Sequence, residues 1–470
     1  MSQQLLTRRH PLLLPVLAFA QFLLALDYNI VLVALPDMGS ELGMSPATLQ
    51  WVVSSYALAF GGLLLFGGRL GDVFGRRRFV LLGLIIFAAG SLAAALAPQA
   101  ALLLIGRVLQ GVGGALLSPS VLAAIAVSFE EGPARFRALA IWSSAGAVGL
   151  ALGSALGGVL MAFFDWRAVF LLLVPLALLG LGGAWAAVPR DTEVTARRRP
   201  VDLPGGLFAA VGVAAVVFAL AELPNRGADA AALTAAAAGV ILLAAFVLRE
   251  KRAAHPLLHL SLFRRRTLAG GLVAMVLFMG SIGTSYYVFT LFAQDVLGAS
   301  ALVTGLAFLP WGIAGLLASG LARTALNRLG IRGALVLGLV VAAAGNAGLA
   351  SSLNADAPLA VVVAWTVLLG VGQAMGFATL FAAAGTGVPA EQQGVASALM
   401  STIQQVGTAL GLAVLIGLAT GVTRGSDLAG VEATAAGLQA ATWVGAGVLA
   451  GGAVLSALIL PGRKALQAAS

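Results

Sequence analysis

Cysteine is absent from this chain of 470 residues, so disulfides, thiolate metal sites and cysteine nucleophiles are excluded. Lysine is nearly absent as well. Neither Lys251 nor Lys464 stands in a G-x-x-x-x-G-K-[ST] loop, which removes the phosphate cradle that ATP use requires. Histidine is scarce: His10, His255 and His259 fall in connecting segments and read as surface residues rather than ligands or general bases. No nucleophile, base and metal constellation points to an enzyme, and neither a metal nor another cofactor is expected. Charge is scarce too. Only 10% of residues are charged against 60% hydrophobic, too little polar surface to coat a water-soluble globule.

What the chain has instead is length in apolar runs, with a mean hydropathy of +1.02. A membrane-spanning helix needs about 20 mostly apolar residues, and fourteen such stretches are present. They lie near 11–35, 48–68, 79–97, 100–122, 138–161, 168–188, 204–221, 230–248, 268–292, 302–322, 333–352, 358–381, 394–418 and 438–461. The first is longer than the apolar core of a secretion signal, about 7–15 residues, and is expected to be retained as a helix. Sixty glycines and many alanines suit helices that pack closely in lipid, where small residues let backbones approach.

Placing the N-terminus in the cytoplasm and alternating sides, Arg167, Arg226 and Arg424 are the only basic residues in outer loops, and Arg107 lies within an apolar stretch. The rest of the 27 basic residues fall inside, as the positive-inside rule demands, and an even helix count puts both termini in the cytoplasm. The net charge of +9 therefore reflects topology. No basic, aromatic-interleaved surface is long enough for nucleic acid, so none is expected as a partner.

The chain repeats in halves. We expect an all-α membrane protein with an N-terminal six-helix bundle (1–190), a segment of basic linkers and two inserted helices (191–266), and a C-terminal six-helix bundle (267–470). The stretch 138–161 carries a glycine ladder, Gly149, Gly153 and Gly157, with Gly158 beside it, and 394–418 carries Gly407 and Gly411. Repeats of this kind place a transport site near the midplane between two rocking bundles. The insert, mostly Ala, Val, Leu and Gly, is expected at the periphery.

The segment GGRLGDVFGRRR, Gly67–Arg78, reads as a glycine-jointed loop between two apolar stretches. A plain topology anchor explains Arg76, Arg77 and Arg78 but neither the spacing of Gly68, Gly71 and Gly75 nor Asp72. The segment Gly320–Gly333 is a degenerate echo that keeps Arg328, Gly330 and Arg332 and loses the acid.

Ionisable side chains inside a membrane are costly and mark function. Two stand out, Asp27 and Arg107. Counting at ~1.5 Å per residue puts both about 10–12 Å from the outer ends of their stretches. Gln110, Gly111 and Gly114 follow Arg107 at helical spacing. Asn29, Tyr56, Gln110, Trp142, Tyr286 and Gln404 are candidates for a substrate cavity, with interhelical hydrogen bonding an equal alternative for each. Asn346, Gln373 and Gln405 are further polar residues within helices, and the second half has no acid mid-helix.

The strings LDYNIVLVALPDM, LQWVVSSYALAFGGLLLFGGRLGDVFGRRR, IGRVLQGVGGA, WRAVFLLLVP and GVPAEQQGVASAL, together with the glycine ladder, resemble the fourteen-helix drug:proton antiporters of the major facilitator superfamily over nearly the whole chain. One departure is Ser154 after Gly153, where that family often has Gly-Pro. The resemblance implies two six-helix bundles plus two inserted helices and transport by alternating access. It implies a conformational latch of Gly68, Asp72, Gly75, Arg76 and Arg77, and a helix-packing motif of Gly149, Gly153, Gly157 and Gly158. It also implies that Asp27 and Arg107 line one cavity within reach of each other as the proton-coupling pair, with a static ion pair as the alternative. The expected activity is proton-driven export of a hydrophobic small molecule such as a drug or antibiotic from a bacterial cytoplasm. The chain is expected in the inner (plasma) membrane as a monomer among lipids. Alternatives are a dedicated exporter of an endogenous metabolite or lipid and, remotely, a transport-dead receptor or scaffold.

Overall fold

In hydrocarbon a backbone must satisfy its own hydrogen bonds, and a run of apolar residues does so as a helix. The computed structural model describes residues 11–129, 133–189, 202–226, 229–253, 260–386, 388 and 393–461, and their regular structure is helical throughout. The first half comprises α1 (Leu13–Val33), short α2 (Leu35–Glu41) and α3 (Pro46–Leu49), then α4 (Trp51–Phe74), α5 (Arg76–Ala95), α6 (Ala100–Ser128), α7 (Pro133–Phe163) and α8 (Arg167–Ala187). The insert supplies α9 (Leu203–Arg226) and α10 (Ala230–Arg252). The second half comprises α11 (Arg266–Leu291), which continues into a π-turn at Phe292–Val296, then α12 (Ala301–Ala307), α13 (Leu309–Ser352), α14 (Leu359–Gly385), α15 (Gln393–Gly425) and α16 (Gly430–Ile459). Thirteen helical spans among the described residues are long and apolar enough to cross a membrane. A shorter apolar run, Thr48–Leu64, continues from α3 into the 24-residue α4. Residues 190–201 and 254–259, within the basic segments beside the insert, lie outside the described residues, as do 1–10 and 462–470.

Two expected loops are helix instead. The backbone of Gly67–Phe74 completes α4, and only Gly75, at φ 108°, breaks the path into α5. In the echo segment α13 runs through its charged residues and bends only at Gly330, φ 70°. Both junctions need the left-handed region that glycine adopts without a Cβ clash. Hydropathy falls there because the helices leave the lipid, and the backbone has no reason to stop at that plane.

Glycine ladders set the packing of each half. A Cβ on Gly149, Gly153 or Gly157 of α7 would come within 2.8 Å of the α1 carbonyl oxygens of Phe22, Leu26 or Ile30. The second half repeats this, with Gly411 of α15 against Gly280 of α11. Gly158 faces across the molecule: its Cβ would meet the carbonyl oxygen of Ala301 at 2.8 Å. Gln294 Nε2 likewise donates to the Val33 carbonyl at 2.8 Å, joining the halves at the end that bears α2. In the insert, Asp202 accepts from Arg249 Nε at 2.5 Å, and α9 lies against both α4 and α15.

Candidate functional site

The glycine ladder draws α7 against α1 and aims the opposite side of α1 into the first half, where α6 waits. Asp27 of α1 is 0% exposed and Arg107 of α6 is 1% exposed. Arg107 Nη1 donates to both oxygens of the Asp27 carboxylate at 2.9 Å and to Gln110 Oε1 at 2.8 Å. Arg107 Nε donates to the Val52 carbonyl on α4 at 2.8 Å, and its guanidinium carbon lies 4.4 Å from the centre of the Tyr56 ring. Gln110 Nε2 donates to Asp27 Oδ1 at 3.0 Å and to Ser91 Oγ at 2.8 Å, and Ser91 donates to the Phe87 carbonyl. Four helices thus converge on one buried carboxylate. Such an ion pair is tolerable in a low-dielectric interior because Val52, Gln110 and Ser91 extend it with further hydrogen bonds.

The candidate cavity residues divide. Asn29, Tyr56 and Gln110 are buried within the first half. Asn29 Nδ2 is held by the Leu150 carbonyl at 2.8 Å, while Tyr56 and Gln110 serve the charged cluster. Trp142 and Gln404 are half-buried. Tyr286 belongs to a neutral cluster in the second half. Its ring stacks on Trp311 at 4.0 Å and 15°, and its hydroxyl and the Trp311 Nε1 both donate to Gln373 Oε1, at 2.9 and 2.8 Å. Beside it, Ser281 and Ser285 of α11 bond to Asn346 of α13, and Ser281 also donates to the Gly445 carbonyl of α16. Ser91, Trp311 and the sharing role of Gln373 escaped the sequence reading. A serine among alanines and a tryptophan at a helix start carry no local mark of their partners.

At the candidate latch, Gly68 faces Pro119 of α6 and a Cβ on Gly67 would collide with the Ala115 carbonyl. Arg77 Nη2 donates to the Trp185 carbonyl of α8. Gly75 provides the turn, Arg76 begins α5, and the side chain of Asp72 lies outside the described residues. The latch residues that are described therefore tie α4 and α5 to α6 and α8. Among the described residues no group of three or more His, Cys, Asp or Glu could hold a metal.

A repeated six-helix arrangement, a buried charge pair and a glycine-turned junction in each half define a multi-pass membrane transporter rather than an enzyme. Residues 17–412 match the sequence profile of the Major Facilitator Superfamily, and the chain belongs to that family. The puromycin resistance protein pur8 of Streptomyces alboniger is 35% identical over 96% of this chain and 91% of its own length. The lincomycin resistance protein of Streptomyces lincolnensis is 38% identical over 87% of this chain and 85% of its own length. The crystal structure of the POT family transporter PepTSo superposes with a TM-score of 0.74 at 15% identity, over 98% of this chain and all of that one, a likeness of fold.

Proposed function

We propose that this transporter exports hydrophobic, antibiotic-like small molecules from the cytoplasm across the inner membrane in exchange for protons. The observation that carries the coupling is the carboxylate of Asp27, fully buried against Arg107 at 2.9 Å in the first half, while the second half answers with neutral side chains. A buried acid released from its cation when helices move changes its proton affinity, which is what an exchange cycle needs. The relatives named for antibiotic resistance support export as the direction. With the positive-inside topology, the end bearing α2 is outside and both termini are cytoplasmic. The contacts of Gly158 and Gln294 across the halves then close the outer side, and residues 1–190 and 267–470 are the two rocking units. Gly67–Arg78, Asp72 included, is the conformational latch at the inner side, and the half-buried Trp142 and Gln404 with Tyr286 face the substrate path.

Asp27→Asn tests this reading. The amide imitates the protonated acid and has no proton to release. Uphill export should be lost in a drug-susceptibility panel run in an efflux-deficient host, with expression and substrate binding kept. Export by the variant that still collapses with a protonophore, as wild type does, would place coupling elsewhere.

A further inference from the structure

At the outer end of α4 the packing contains a costly feature. Gln50 is 1% exposed, and neither its amide nitrogen nor its amide oxygen has a hydrogen-bond partner among the described residues. The hydroxyls of Ser54 and Ser55, 2% and 9% exposed, are in the same condition. Buried polar groups are nearly always paired, and each orphan loses its hydration without compensation. Leucine or alanine at these positions would seal the site better.

Their placement gives them a use. A spacing of four puts Gln50 and Ser54 on one helical face, which continues through Ala57, Leu58 and Gly61. Ala57 and Leu58 pack with Ala409 and Ala413 of α15, and Gly61 abuts Gln405 of the same helix. The face is therefore the seam between the two halves. Ser55 lies one turn along from Val52, whose carbonyl receives Arg107 Nε. The three side chains descend from the outer end of α4 to the level of the charge pair. On the lipid side the seam is walled by α9, with Phe218 against Trp51 at 5.8 Å and Val217 and Ala221 against Ala57 and Leu58.

We infer that Gln50, Ser54 and Ser55 line the route by which protons from the outer face reach Asp27 when α4 and α15 part. The inference rests on the proton-exchange reading of Asp27. Opening the seam admits water, and the orphaned amide and hydroxyls gain the partners they lack while closed. A proton from the outer water is handed along molecules bonded to these side chains and ends as a new O–H bond on the Asp27 carboxylate. The titratable and charged groups about Asp27 are Arg107 from α6, Tyr56 from α4 and Tyr28 from its own helix. An amide and two serine hydroxyls do not titrate near neutral pH, so they pass protons without storing them. The insert helix α9 keeps lipid out of the route.

The test uses the proton itself as probe. Full-length protein in oriented proteoliposomes is given a drop in pH on one face, and time-resolved infrared spectroscopy follows the protonated-carboxyl band that is missing in Asp27→Asn. In Gln50→Leu/Ser54→Val the band should rise several-fold more slowly after an outer pH drop, and at the wild-type rate after an inner one. An unchanged outer rate overturns the route. Equal slowing from both faces also overturns it, because the substitutions then act on Asp27 and not on access. If wild type shows no band that Asp27→Asn removes, the exchange reading of Asp27 falls first and this route with it.

Discussion

The two halves build their interiors from only partly corresponding helices and with opposite chemistry. In the first half, α1, α4, α5 and α6 meet at an ion pair whose every partner is a strong donor or acceptor. In the second, α11, α13, α14 and α16 meet at hydroxyls, amides and stacked rings, with no formal charge. A shared fold therefore leaves open what its converging polar residues do. A neutral network holds helices together equally well at either protonation state of its surroundings. A charged one holds them only while both partners stay ionised, so under the proposed exchange the first half responds to protons and the second provides a fixed counterpart.

Breaking the charged side should have the largest effect on stability. Arg107→Leu leaves the Asp27 carboxylate buried without its cation, which costs about 3–5 kcal/mol when one member of such a pair is removed. We expect a large fall in the unfolding temperature of the detergent-purified protein together with loss of uphill export. Adding Asp27→Asn should recover much of the thermal stability and none of the export. If the double variant unfolds no later than Arg107→Leu alone, the lost stability does not come from the orphaned charge.

Breaking the neutral side should separate stability from coupling. Asn346→Ala removes the group that bonds both Ser281 and Ser285 and leaves those hydroxyls to the Gly445 and Ser281 carbonyls, a loss of about 1–3 kcal/mol. The unfolding temperature should drop while the dependence of transport on outer pH keeps its shape. A shifted pH profile in this variant would show that the second half takes part in proton exchange.

Much of this arrangement was legible beforehand, and the limits are physical. Apolar length marked fourteen spans, because lipid immersion is what hydropathy reports. Asp27 and Arg107 stood out since a charge in an apolar run has few tolerable explanations. The glycine ladder announced a close backbone approach, although only the fold tells that Gly149, Gly153 and Gly157 meet α1 while Gly158 meets the other half. Ser91, Gln373 and Gln50 carry no such mark, because their meaning lies in partners on distant helices or in having none. Asn29, Tyr56 and Gln110 were legible as polar, but their partners were not.

The smallest effect is expected where charges pair in the open. Glu41, at the end of α2, accepts from Arg167 Nη1 at 2.6 Å and from Trp166 Nε1 at 2.7 Å, and Arg167 also reaches the Ala97 carbonyl. This clasp joins three connections at the end of the first half that bears α2, with the same chemistry as the interior pair. It is solvated, with Glu41 47% exposed, so water and salt screen most of its worth. The hydrogen bonds from Arg167 and Trp166 hold the Glu41 carboxyl below its ordinary value of 4.5. A lowered folded value means that the carboxylate contributes stability above the ordinary range and loses it as pH falls through the lowered one. Glu41→Gln should therefore change the unfolding temperature barely at neutral pH and flatten its decline in acid. Thermal scans of both proteins from neutral pH to below 4.5 would check this. Superimposable acid limbs would mean that the clasp is as weak folded as it is exposed, and that pairing matters to this molecule only where water is excluded.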